Sequence, residues 1–254
     1  MLFNEIVYGP IHSRRLGCSL GINLMPIDGK ICTFNCVYCE CGFNTEGHYT
    51  LPTREQVAEA MEAKLHQLQQ EGVTPDVFTF SGNGEPTMHP DFEGIIDDTV
   101  VLRDRFFPNA KISVLSNSTR LGTESVVRGL MKADNRILKF DSAFDSTMRL
   151  IDQPVNPAFN VANLVERLCA FQGDLIVQTI FLRGEHNGQH IDNTTEEEVS
   201  AWIKQIQKIA PKQLMIYAID RATPVKTLEK VSREELETIA DRVRALGFPV
   251  SVAG

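Results

Sequence analysis

The sequence predicts an α/β fold of parallel strands, a partial (β/α)6 barrel, as one domain over residues 1–254. Three observations predict it. Short, near-continuous apolar runs recur along the chain. Amphipathic segments at helical spacing separate them. Glycine and polar residues gather just after the runs rather than before them. Parallel strands buried on both faces read as unbroken apolar runs, and strand–helix alternation implies right-handed βαβ units.

The strand runs fall at residues 19–24, 77–80, 112–115, 137–140, 175–181, 214–219 and 248–252. Helical patterns occupy 54–70, 91–106, 161–171, 195–209 and 233–246, with Thr53 suited to cap the first. Thr195 with Glu198, and Ser232 with Glu235, have the spacing of capping boxes. About six βα units are too few to close an eight-stranded barrel, so the expected form is TIM-like but open. In such folds chemistry belongs at the C-terminal ends of the strands.

Composition narrows the class. Hydrophobic residues make up 43% and charged residues 23%, as in globular domains. A net charge of −8 argues against general duplex binding, which phosphate neutralisation drives. No run reaches 18 apolar residues and no signal-peptide pattern opens the chain, so the expectation is a cytoplasmic protein with no membrane partner. Thiols stay reduced there, and clustered cysteines then indicate metal or redox chemistry.

Such a cluster exists: Cys32, Cys36 and Cys39, in a loop spanning about 29–42. The spacing would also place three residues on one helix face, but weak helix formers between Gly29 and Gly42 favour a loop. Three thiolates can hold three irons of a [4Fe–4S] cube, which four thiolates usually complete. The fourth iron then stays open to a small molecule. Cys41 is a candidate fourth ligand, and with His48 the set could instead bind zinc. Cys169 reads as core and Cys18 has no assigned role.

The pattern CxxxCxxC with an aromatic residue before its last cysteine resembles the signature of the radical S-adenosylmethionine superfamily. Ser81-Gly82-Asn83-Gly84-Glu85-Pro86-Thr87 is similar to that family's GGEP motif, with Asn83 in place of the first paired glycine. Ser116 and Asn117, then Lys139 and Asp141, resemble further cofactor-contacting positions. The segments Tyr8 to Gly17, Lys139-Phe140-Asp141 and Tyr217 to Pro224 resemble most a compact group related to the tRNA wyosine-base synthetases.

The resemblance implies two cofactors, a [4Fe–4S] cluster on Cys32, Cys36 and Cys39, and S-adenosylmethionine chelated to the open iron. Reductive cleavage would give a 5′-deoxyadenosyl radical that takes hydrogen from a substrate. Glu85 would accept from the cofactor's ammonium, Gly82, Asn83 and Gly84 would let backbone come close, and Tyr38 would lie near the adenine. Asp141 would bond the ribose, helped by Lys139 or Asn117. A flavodoxin or ferredoxin would be the electron donor, and one cluster is expected. A tRNA base is the favoured substrate class. A peptide or a glycyl-radical protein is the alternative, and a non-catalytic zinc or iron–sulfur protein a third reading.

Other candidates come from the residues themselves. Gln178 lies inside an apolar strand, where an amide needs a partner, either the cofactor or the protein. Arg14 and Arg15 could clamp an anion or form ion pairs. Arg183, Tyr217, Asp220 and Arg221 lie at strand ends and are candidate substrate contacts.

Overall fold

A computed structural model describes every residue except Met1, Arg14, Arg15 and His48. The arginine pair therefore lies outside the described residues, as does the histidine considered for zinc. The chain divides into two compact units, one of residues 1–32, 44–116 and 120–136, the other of 33–43, 117–119 and 137–254.

The first unit opens with a strand that the apolar pattern does not announce. β1 (Val7–Ser13) runs antiparallel to β2 (Gly17–Ile22) and carries Pro10, a residue confined to sheet edges because it lacks an N–H. Then follow α1 (Arg54–Glu71), β3 (Val77–Phe80), a 3-10 turn (Pro86–Met88), α2 (Phe92–Phe106), β4 (Lys111–Ser116) and α3 (Glu124–Lys132). β2, β3 and β4 are parallel, with Ile22 beside Phe80 and Phe80 beside Val114. All three side chains are fully buried, as the unbroken apolar runs require. Thr53 caps α1 in a full capping box with Gln56, and Arg54 forks onto Asp98 of α2 through two 2.6 Å bonds.

The second unit takes the end of β5 (Asn135–Lys139), α4 (Asp145–Asp152), α5 (Val161–Cys169), β6 (Ile176–Ile180), β7 (Leu182–His186) and β8 (Gln189–Asp192). It continues through α6 (Glu196–Ile209), β9 (Gln213–Tyr217), β10 (Leu228–Lys230), α7 (Arg233–Arg244) and β11 (Val250–Ala253). β5, β6, β9 and β11 lie side by side and parallel. Trp202 of α6 anchors this core. Its indole donates to the Thr179 hydroxyl at 3.1 Å and stands edge-on to Phe181. A separate antiparallel sheet, β10-β7-β8, follows from the ends of β6 and β9.

One expectation needs correction. Cys169, read as core, ends α5 half-buried, with its Sγ 3.5 Å from the Lys208 carbonyl. After Phe181 the chain continues as the β7–β8 hairpin. Asn187 and Gly188 at its turn both have positive φ, as a two-residue hairpin loop demands. Among the described residues no helix is long and apolar enough to cross a membrane.

Candidate cofactor site

In the first unit, the turn after β3 is built around close backbone contact. Gly84 forms a parallel bridge with Ile31, and Ile31 N–H donates to the Asn83 carbonyl at 3.1 Å. Gly82 and Gly84 have φ of 130° and 151°. A Cβ on Gly82 would meet Asn23, and one on Gly84 would stand 1.7 Å from the Ile31 carbonyl oxygen. Gly84 thus lets protein backbone pass, at the residue before Cys32, and Gly82 makes room for the Asn23 side chain.

Asn83 has a role that the glycine comparison does not convey. Its side chain is fully buried. It accepts from Phe3 N–H at 2.8 Å and donates to the carbonyls of Phe3 and Pro26, both at 2.7 Å. Every side-chain polar atom is thus held by protein. Glu85 is buried as well, and its Oε1 accepts from Ser116 at 2.8 Å and from the Thr87 hydroxyl at 2.5 Å. The Cys32 carbonyl accepts from Asn44 at 3.1 Å.

In the second unit, the loop bearing Cys36 and Cys39 is fastened to the end of α4. Asn35 N–H donates to the Asp152 carbonyl at 2.9 Å, Val37 N–H to Ile151 at 3.0 Å, and Val155 N–H to Thr33 at 3.0 Å. Asn117 Nδ2 donates to the Thr33 hydroxyl at 2.8 Å. Cys39 N–H closes a turn onto the Cys36 carbonyl. None of the chain's six cysteines is in a disulfide; Cys36 is buried, Cys32 and Cys39 half-buried.

A polar cluster lies among these elements. Tyr38 donates to Asp141 at 2.8 Å and reaches Asp152 at 3.3 Å, and Cys36 Sγ is 3.5 Å from Asp152. Lys139 Nζ lies 3.2 Å from Asp141, 3.3 Å from the Tyr217 hydroxyl and 4.9 Å above the Tyr38 ring. Burial, then the charge of Asp141, pushes the Tyr38 phenol up. The same two causes raise the Asp152 carboxyl. Burial pulls the Lys139 ammonium down, but Asp141 and its neighbours more than offset it and hold it above its ordinary value. Sequence reasoning missed Asp152, the last residue of the short helix α4, whose buried face of Met148 and Ile151 was not read as a helix.

Gln178 of β6 sits beside Lys139 in the parallel register. It is 6% exposed, and its side-chain amide makes no hydrogen bond to the described residues. The remaining candidates separate. Arg183 pairs with Glu235 of α7, Asp220 faces Lys230 at 3.7 Å, and Arg221 pairs with Glu40 at 2.8 Å, beside Cys39. Of the four strand-end candidates, Tyr217 joins the buried cluster.

The model of the radical SAM superfamily matches residues 27–197. The chain belongs to the radical SAM superfamily. It is 30% identical over 238 residues to a UPF0026 protein of Helicobacter pylori, covering 91% of this chain and 71% of that protein. It is 29% identical to a protein named GTPase Obg from Brachyspira hyodysenteriae, over 91% of this chain but 32% of that one. The chain thus spans 32% to 71% of the length of these curated relatives. A radical SAM methyltransferase from Sphaerobacter thermophilus shares the fold with a TM-score of 0.66 at 14% identity, over 92% of this chain and 65% of that one. A TYW1 structure with a lysine-pyruvate adduct matches at 0.60 and 13%, over 89% and 73%. These likenesses bear out the expected α/β partial barrel. Radical SAM enzymes use a [4Fe–4S] cluster and S-adenosylmethionine.

The residues present suit both groups. Three thiols share one short loop, and the buried Gln178 amide has no hydrogen-bond partner among the described residues. Among the described residues no three His, Cys, Asp or Glu side chains converge as the ligands of a single metal ion do. Thiolates of a cube bind different irons and need not converge in that way.

Proposed function

We propose that this chain reductively cleaves S-adenosylmethionine at a [4Fe–4S] cluster held by Cys32, Cys36 and Cys39, to start hydrogen abstraction from a substrate. The observation that carries the reading is the cysteine triplet inside a superfamily match covering residues 27–197. When bound, the cluster supplies the electron and the nucleotide supplies the 5′-deoxyadenosyl radical.

The chain's own residues set the stage. The Ile31–Gly84 bridge fixes the approach to Cys32, and the end of α4 fixes the approach to Cys36. Glu85, oriented by Ser116 and Thr87, presents a carboxylate suited to an ammonium group. Gln178 offers its amide to the nucleotide. The substrate class this reading favours is a tRNA base, supported by the segments Lys139 to Asp141 and Tyr217 to Pro224. A flavodoxin or ferredoxin is the proposed electron donor.

The test is anaerobic reconstitution with iron and sulfide, followed by S-adenosylmethionine and dithionite. A brown protein that yields 5′-deoxyadenosine and methionine supports the reading. Cys32→Ala, Cys36→Ala and Cys39→Ala should each abolish both products, while Cys18→Ala and Cys169→Ala keep them. A fully loaded protein that leaves the nucleotide intact overturns it. Salt-sensitive tRNA binding tests the substrate class.

A further inference from the structure

Lys139 and Asp141 match positions that suggest nucleotide contacts, yet the structure commits both to other groups. The Asp141 side chain has no exposed surface. Its Oδ1 accepts from Ile180 N–H at 3.0 Å, and its Oδ2 accepts from Tyr38 and from Lys139. Asn193 holds its backbone carbonyl at 2.8 Å. A carboxylate has about four acceptor sites, so three internal donors nearly fill it. With three donors in place and no exposed surface, the carboxylate is not open to a ribose diol.

The Lys139 side chain is 13% exposed, and its ammonium lies between Asp141, the Tyr217 hydroxyl and the faces of Tyr38 and Tyr217. Through Tyr38 and Asp152 the cluster of side chains runs without a gap to the sulfur of Cys36. Lys139 is the positive charge among the acidic groups Asp141, Asp152 and Cys36. A fixed cation in a low-dielectric interior acts strongly on any nearby change of charge. The potential of an iron–sulfur cluster follows the net charge, hydrogen bonding and burial around it.

We infer that Lys139 is a positioning residue that raises the reduction potential of the cluster, with Asp141 and Tyr217 fixing its ammonium in place, and that it does not bind the nucleotide. This rests on the cluster assignment above. Reduction adds one electron to the cluster. A nearby ammonium stabilises that added charge and so makes the electron easier to accept.

The experiment is a potentiometric titration, followed by electron paramagnetic resonance, of the reconstituted full chain. Wild type is compared with Lys139→Met and Lys139→Arg. Lys139→Met should shift the midpoint to more negative potential, and Lys139→Arg should stay near wild type. Equilibrium dialysis with S-adenosylmethionine should give the same affinity for all three. An unchanged midpoint in Lys139→Met overturns the inference. So does an affinity loss of about tenfold or more, which would make Lys139 a nucleotide contact. If Lys139→Met retains no cluster, Asp141→Asn tests the same field with opposite sign. It leaves the ammonium unneutralised and should raise the midpoint, and a fall overturns the inference. A wild type that takes up no cluster overturns the functional reading itself, and this inference with it.

Discussion

The carbonyl oxygen of Ile31 occupies the space where a side chain on residue 84 would begin. A Cβ there would lie 1.7 Å from that oxygen, on a backbone with φ of 151°. Gly84→Ala must therefore move backbone, because the obstacle is not the end of a flexible side chain. We expect a loss of at least about 2 kcal/mol in chemical denaturation, together with a lower iron-to-protein ratio after reconstitution. An alanine variant with wild-type stability and iron content would show that the bridge has no such role.

Asn83 is tied to residues 3 and 26 by three side-chain bonds inside the core. Asn83→Ala removes them and strands the half-buried backbone groups of Phe3 and the buried carbonyl of Pro26. The expected cost is about 2–4 kcal/mol, with nucleotide affinity unchanged in the protein that remains folded. Affinity lost without any fall in melting temperature would assign the side chain to the cofactor instead.

Glu198 of α6 turns inward, where it is buried and accepts from Ser142 at 2.8 Å. Burial pushes its carboxyl up, opposed by the hydroxyls of Thr147 and Ser142. A raised carboxyl favours the fold at low pH, and that contribution is lost as pH rises from the ordinary carboxylate value through the folded one. Glu198→Gln does not titrate. Its melting temperature relative to wild type should therefore climb as pH rises above the ordinary carboxylate range, the window in which only the raised carboxyl still holds its proton. A constant difference across that window refutes the assignment.

Glu235 shows the opposite sign. The Ser232 backbone N–H, then Arg183 and the Ser232 hydroxyl, hold its carboxyl at about 2. Its contribution is complete above the ordinary carboxylate range and fades as pH falls toward 2. Glu235→Gln should flatten the acid limb of the stability curve over that interval. Because the pair with Arg183 is partly exposed, the effect at neutral pH is small. Parallel acid limbs would remove Glu235 from the account.

The parallel strands were legible because residues 77–80 and 112–115, buried on both faces, read as near-continuous apolar runs broken only by the small polar Thr79 and Ser113. Ser232 and Glu235 form the full capping box that their spacing announces. Thr195 caps α6 as expected, but Glu198 abandons the return bond for Ser142, 56 positions away, a contact that local spacing cannot encode. β1 escaped notice because Gly9 and Pro10 interrupt its pattern. The β7–β8 hairpin had a readable signal in Asn187-Gly188, but its exposed polar strands gave no apolar run to go with it.

In the site, the cysteine spacing and the GNGEP turn could be recognised, whereas the commitments of individual side chains could not. Asp152 and Asn83 are assigned by contacts from distant segments. Asp141 and Lys139 stand at strand ends, as expected, but face each other.

The fastening of Asn35 and Val37 to the last carbonyls of α4 ties the motion of the loop to that of the helix. A helix leaves its final carbonyls unsatisfied, and here the loop's own amides complete them. Fraying of that helical end and release of the segment around Cys36 are therefore one event. Amide hydrogen exchange at Asn35 and Val37 should slow in step with that of the last turn of α4 as iron and sulfide are taken up.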